Sequence, residues 1–200
     1  MTILFRIVRT STFDPATALS KAVELFSSKG YSETSMEDIV QATGVSRYGL
    51  YGTFGNKREL FEQALDCYAD LMGKQAFLRL LEPGASLTHI RKIFEERVAD
   101  MSNAEENKGC LFIHTAMELG RQDEGLREVL RRFMGRMSKL FAAGLDSAKE
   151  RGEVRADLDV RASGEMLTST MFGLAVLGRT GFPRETLDGI VDSTLGSLSN

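Results

Sequence analysis

Only three prolines, at positions 15, 83 and 183, interrupt 200 residues whose apolar side chains recur every three or four positions. That spacing is the period of one face of an α-helix, and the period-two alternation of a half-buried strand is scarce. Leu19, Ala22, Val23 and Phe26 form such a stripe directly after "DP". There Asp14 can cap a helix and Pro15 can occupy its first turn. "KG" at 29–30 ends it, with the glycine at a favourable C-terminal position. A long pattern starts at Lys57, continues through Phe61, Ala64, Leu65, Tyr68, Leu71 and Met72, and is expected to reach about Leu81. Further helices are expected at roughly 86–101, 108–120, 124–150, 157–179 and 184–198, most of them parted by prolines, glycines or polar runs such as "MSNAEENKG". The expected fold class is all-α.

A chain of this length can bury a substantial core, as one large domain or two small ones. No apolar run reaches the roughly 18 residues that a membrane span needs. "MTILFRIV" is apolar but short, contains Arg6, and lacks the long core and cleavage site of a secretory signal. A cytoplasmic protein with no membrane partner is therefore expected. Cys67 and Cys110 are too few for a disulfide framework. There is no phosphate-binding loop, no His/Cys cluster at metal spacing and no Ser-His-Asp signature, so neither an enzyme nor a bound cofactor is expected. His114 and Glu118 lie four apart on one helix face, but two ligands do not make a metal site. The net charge of −3 gives no global attraction for nucleic acid, so any such binding must rest on a local patch.

One stretch provides that patch. "GVSRYGLYGTFGNK", from Gly44 to Lys57, holds two tyrosines, four glycines, one arginine, one lysine and no acid. Each interior glycine costs a helix about 1 kcal/mol against alanine, so something other than local stability keeps them there. Just before it, "TSMEDIVQAT" offers Thr34 or Ser35 as a cap, acids in the first turn and Ile39 on the inner face. "GV" turns the chain, Ser46 can cap again, and Leu50 and Phe54 continue a buried face. Two short helices joined by a glycine-containing turn, the second polar on its outer side, describe a helix-turn-helix. In that motif the second helix enters the major groove and leads with its N-terminal residues. Gly49 and Gly52 would then let the backbone approach DNA closely. Arg47, Lys57 and Arg58 supply positive charge. Arg6 and Arg9 precede the first helix, either as an arm toward the minor groove or as a tail.

The run "ALSKAVELFSSKGYSETSMEDIVQATGVSRYGLYGTFGNKRELFEQAL" resembles the N-terminal DNA-binding domain of the TetR/AcrR family of transcriptional repressors. The matching pieces are "LF..KGY..TSM.DI", "A.GVS" and "LY..F.NK..LF", in family order and spacing. "GCLFIHTAMEL" is similar to one branch of it. The resemblance implies an all-α homodimer with a DNA-binding domain over residues 1–60 and a ligand-binding and dimerisation domain over 61–200. It also implies Thr34 and Ser35 on phosphates, Ser46, Arg47, Tyr48 and Gly49 leading the recognition helix, Tyr51 and Gly52 following, and Lys57 on a phosphate. Arg47 is the best candidate for bidentate readout of guanine, and tyrosine rings can meet thymine methyl groups. Tyr51 is open to a second reading as core. Tyr48, Gly49, Gly52 and Thr53 depart from the residues common in the family, which bears on the bases read.

In the C-terminal half, soft apolar side chains recur: Met117, Met134, Met137, Met166 and Met171 with Phe112, Phe133, Phe141 and Phe172. Ordinary core explains any one of them. As a set, methionines that adapt to variable guests fit the ligand pocket the resemblance implies, with His114 and Thr170 orienting a small apolar or electrophilic effector. "ETLDGIVDSTLGSL" places Leu187, Ile190, Val191, Thr194, Leu195 and Leu198 on one face, and the preceding helix carries Gly164, Gly173, Ala175 and Gly178. Paired across a two-fold axis, these last two helices would form a four-helix dimer interface. Cys110 follows a glycine and, with Asn107 as cap, would stand in the first turn of a helix with Lys108 and His114 nearby. There it is either a reactive sensor thiol or a small buried residue.

Overall fold

Asp14 opens the first helix by accepting hydrogen bonds from the Ala16 and Thr17 amides, and Gly30, at φ 85°, closes it. This helix, α1 (Pro15–Lys29), is followed by α2 (Met36–Thr43), α3 (Arg47–Phe54) and α4 (Lys57–Met72). A 3-10 turn at Leu78–Leu81 leads to α5 (Leu87–Ser102), α6 (Leu111–Glu118), α7 (Glu124–Glu150), α8 (Val160–Arg179) and α9 (Arg184–Gly196). The computed structural model describes residues 13–72, 77–102 and 109–199, and among them every regular element is helical. Arg6, Arg9, Asn107 and Lys108 lie outside the described residues.

The N-terminal helices enclose an aromatic cluster. Phe26 and Phe61 meet edge to face at 5.0 Å, and Tyr31 lies 4.7 Å from Phe61. Ile39, Leu50 and Phe54 close the core from α2 and α3, as their spacing predicts. In the C-terminal half α7 is the central rod. Phe141 on α7 meets Phe77 and Phe94, and Phe133 stacks on Phe112 of α6 at 3.7 Å. Gly164 lets α8 press against it: a Cβ there would lie 2.4 Å from the Ser138 carbonyl oxygen.

Two expectations change. The helix beginning at Lys57 is described as far as Met72, and Leu78–Leu81, expected as its last stretch, form a tighter 3-10 turn. The apolar stripe of α9 does not face outward either. Leu187, Val191, Leu195 and Leu198 are buried within this chain, where α9 packs on α5 and α8. A stripe of that kind records burial but not the identity of the partner. Gly178 is likewise spent internally, against the Met101 side chain, whereas nothing crowds Gly173, Gly189 or Gly196.

Candidate nucleic-acid interface and its junction with the C-terminal helices

Ser35 and Ser46 each start a helix. The Ser35 hydroxyl accepts from the Asp38 amide while Asp38 accepts from the Ser35 amide, a reciprocal cap. Gly44 turns the chain in the left-handed region, φ 72°, and the Ser46 hydroxyl then accepts from the Gly49 amide. Ser35, Ser46, Arg47, Tyr48, Tyr51 and Gly52 are exposed, Tyr48 at 75%. Tyr51 is therefore surface and not core. Thr34 must be corrected: it is wholly buried and its hydroxyl donates to the Gly30 carbonyl at 2.6 Å, so it fastens the turn rather than meeting a phosphate.

The glycines divide. Nothing lies within 4 Å of a Cβ built on Gly52, so its bare backbone faces open space. Gly49 is half-buried, and a Cβ there would press on Val45, Ser46 and Phe13. Phe13, the third of these neighbours, packs 6.4 Å from Phe54. The charges are also not bare. Arg47 pairs with Glu37 from α2 and lies over the Tyr51 ring at 5.9 Å. Arg58 turns to Glu62 and Asp123 and leaves the patch. Lys57 places its ammonium 4.3 Å from the Tyr31 ring centroid. Burial lowers its pKa from the ordinary 10.5, opposed by the charges of Glu118 and Asp38. An exposed pair such as Arg47–Glu37 is worth about 0–1 kcal/mol, little enough for a base or phosphate to exchange with.

Behind this unit, α6 makes the junction. The Glu118 carboxylate accepts from the Tyr31 amide at 2.8 Å and the Ser32 amide at 3.2 Å, in the turn between α1 and α2. Its oxygen occupies the space a side chain at Gly30 would need. The Arg179 guanidinium at the end of α8 donates to the Ser28 carbonyl at 2.9 Å, and Arg58 of α4 joins Asp123, the cap of α7. His114 belongs to this junction and lines neither apolar space described below. Burial, then the Arg179 charge, lower its pKa from the ordinary 6.5, and Glu118 opposes them. The ring is therefore neutral near pH 7, which removes it as a positive support for a Cys110 thiolate.

Four of the remaining effector candidates fall in two places. An inner chamber is lined by Cys110, Phe133 and Met137 together with Tyr68, Met72, Arg97, Met101, Phe112, Met171, Phe172 and Ala175. An outer groove of about 560 Å³ is lined by Met117, Met134, Phe172 and Val176, among others, and Met117 is 82% exposed. Met166 is exposed and Thr170 half-buried, and neither lines either space. Two polar groups turn inward on α8, Ser163 and Thr168, and Thr168 accepts from Ser138 and donates to the Gly164 carbonyl. Cys110 is the residue that precedes α6, not a member of its first turn, and is buried.

Residues 18–64 match the bacterial regulatory proteins of the tetR family, and residues 86–186 match the tetracyclin repressor-like C-terminal domain. The chain belongs to the TetR family. It is a DNA-binding transcriptional regulator and not an enzyme, with an N-terminal helix-turn-helix and a C-terminal helical domain. It is 32% identical to the uncharacterized HTH-type transcriptional regulator YezE of Bacillus subtilis, over 95% of this chain and 98% of that one. With the HTH-type transcriptional repressor ComR of Escherichia coli it shares 28% identity over 94% of this chain and 90% of ComR. Among solved structures, a triple cysteine mutant of the TetR family regulator CifR, complexed with 26-bp double-strand operator DNA, superposes with a TM-score of 0.83. Identity there is 28%, over 95% of this chain and 99% of that one. No described helix is long and apolar enough to cross a membrane.

Within this TetR-family fold, four side chains stand out that spacing did not single out for these roles: Glu118 at the junction, Thr168 inside α8, and Tyr68 and Arg97 in the chamber. Glu118 was visible as a helix residue, but its partners lie 86 and 87 positions away. Arg97 sits in a charged run that reads as a solvated face. Only the tertiary packing of α5 turns it inward.

Proposed function

We propose that the chain is a homodimeric repressor that binds a pseudo-palindromic double-stranded DNA operator and releases it when an effector acts on the C-terminal helices. The observation that carries this reading is the exposed lead of α3, where Ser46, Arg47, Tyr48, Tyr51 and Gly52 stand outward on a helix held by a capped turn. Arg47 reads a base edge, Ser35 and Lys57 hold phosphates, and Gly52 allows close backbone approach. The division of labour falls near residue 60, inside α4, so this helix carries motion between residues 1–60 and 61–200. The dimer forms through the outward sides of α8 and α9, where uncrowded Gly173, Gly189 and Gly196 permit close approach of a second copy. Half-sites one or more helical turns apart, about 34 Å each, follow from that two-fold axis.

The effector is small and apolar, or an electrophile that modifies Cys110, and it works by favouring the dimer in which the two recognition helices are wrongly spaced. The protein acts in the cytoplasm. Selection of bound sequences from a random DNA pool tests the first part, with an inverted repeat expected. A monomer in sedimentation, or selected sites without two-fold symmetry, would refute it. The second part is tested by titrating operator against protein treated with a mild electrophile or a panel of small apolar molecules. Operator affinity unchanged by all of them would leave a constitutive regulator.

A further inference from the structure

Arg97 reaches the inner chamber from α5. Its Nε is buried and has no hydrogen-bond partner among the described residues, while another guanidinium nitrogen meets exposed Asp100 at 3.2 Å. The guanidinium does not lose its proton in a protein, so one buried N–H of a charged group is left with its hydrogen bond unmade. Beside it stands the Tyr68 hydroxyl, which also meets the Cys110 thiol. Burial first, and then Cys110, push the Tyr68 pKa well up against the opposing Arg97 charge, so the phenol stays neutral. No carboxylate lines the chamber. Two donors and one positive charge converge in a corner otherwise walled by methionine and phenylalanine.

We propose that this chamber binds a small apolar monocarboxylate, its carboxylate paired with Arg97 and Tyr68 and its apolar body among the methionines. The inference rests on the effector reading above and names the chemical class of that effector. A carboxylate offers one negative charge and two acceptor oxygens in a plane that matches the guanidinium fork. A phosphate dianion would bring a second charge with no cation to meet it. A neutral isostere would bring no negative charge to the buried Nε side of Arg97, and sites built around a buried polar group discriminate strongly against analogues that cannot pair with it. The chamber has about 10 Å³ of free volume, enough for about one water. Entry of a guest therefore displaces Met72, Met101, Met137 and Met171, unbranched side chains suited to refilling irregular space. That displacement moves Cys110 and Phe112 at the start of α6, the helix whose far end holds the turn between α1 and α2 through Glu118.

The test uses the full-length protein and matched pairs: hexanoate with hexanamide, phenylacetate with phenylacetamide, and 2-naphthoate with its amide. Binding is read by calorimetry and by the shift in melting temperature. At least one acid is expected to bind ten-fold or more tighter than its amide. Arg97→Met is expected to abolish that preference, Arg97→Lys to retain part of it, and Tyr68→Phe to weaken it several-fold. A bound acid should also slow alkylation of Cys110 by iodoacetamide. Should Arg97→Met fail to fold, the acid-to-amide ratio of the wild type and of Tyr68→Phe decides. No binding by any of the acids, amides bound as well as acids, or full acid binding by Arg97→Met would overturn the proposal. Operator titrations run alongside separate the two readings. Acid bound through Arg97 with operator affinity unchanged upholds the site and removes its regulatory role. Operator release by neutral molecules, with no acid bound, overturns the site and leaves the regulatory reading standing.

Discussion

Gly49 and Gly52 lie three residues apart on one short helix, and their missing side chains serve different ends. A Cβ on Gly49 would press on Val45, Ser46 and Phe13, whereas one on Gly52 would meet nothing within 4 Å. Gly52→Ala is therefore expected to raise folding stability by up to about 1 kcal/mol, the helix propensity difference, while weakening operator binding. Denaturant unfolding and a binding titration on one preparation check both halves, and unchanged affinity would place the Gly52 backbone away from DNA. Arg47→Ala is expected to lose about 1–3 kcal/mol of discrimination at one base pair per half-site, seen in competition between operator variants. Lys57→Ala should instead weaken all sequences alike and flatten the salt dependence by about one ion. If both substitutions change only the salt slope, Arg47 is a phosphate contact. At this scale the caps Asp14, Ser35 and Ser46 were legible, because a cap is a local affair. Thr34 was not, because two adjacent hydroxyls before a helix look equivalent until the fold buries one. Nor was Glu37, which comes from the preceding helix to meet Arg47.

Helix α6 has only eight residues, yet it links the chamber to the DNA-binding unit. Cys110 and Phe112 at its start line the chamber, and Glu118 at its end holds two backbone amides of the turn between α1 and α2. Glu118→Ala leaves those amides without their charged partner and is expected to destabilise the protein by about 1–3 kcal/mol. Hydrogen exchange should then accelerate at the Tyr31 and Ser32 amides, with the recognition helix keeping its own protection. Uniform loss of protection, or none, would show that the contact is not a local latch. The positions of the helices were largely legible, since three prolines and a steady period leave few alternatives. What each apolar face packs against was not. The α9 stripe satisfies the spacing for a dimer seam and for an intrachain seam equally, and only the arrival of α5 decides between them.

The molecule as a whole has an acid-sensitive set of contacts. Lys29 holds the Asp38 carboxyl below its ordinary pKa, Arg58 does so for Asp123, the Ala162 amide for Asp159 and Arg151 for Glu153. Each pKa is lower folded than unfolded, so the unfolded chain takes up these protons first. Their stabilisation is present above the ordinary values of 3.8 and 4.5 and is lost as the pH falls through the lowered ones. His114 acts earlier. Its lowered pKa means that the unfolded imidazole is protonated first, and stability begins to fall below the ordinary 6.5. Calorimetric melting temperatures from pH 7 to 3 are expected to decline in two stages. His114→Gln should remove the first, and an unaltered decline would remove His114 from the account. The three ties between the two halves also differ in what they hold. Arg58 and Asp123 join side chain to side chain, but Glu118 and Arg179 grip main-chain amides and a carbonyl. Every residue but proline carries the same main-chain amide and carbonyl. Substitutions at Ser28, Tyr31 or Ser32 therefore leave those two ties in place, provided Gly30 is kept. The DNA-binding surface can be rewritten for another operator while the wiring to the C-terminal half persists.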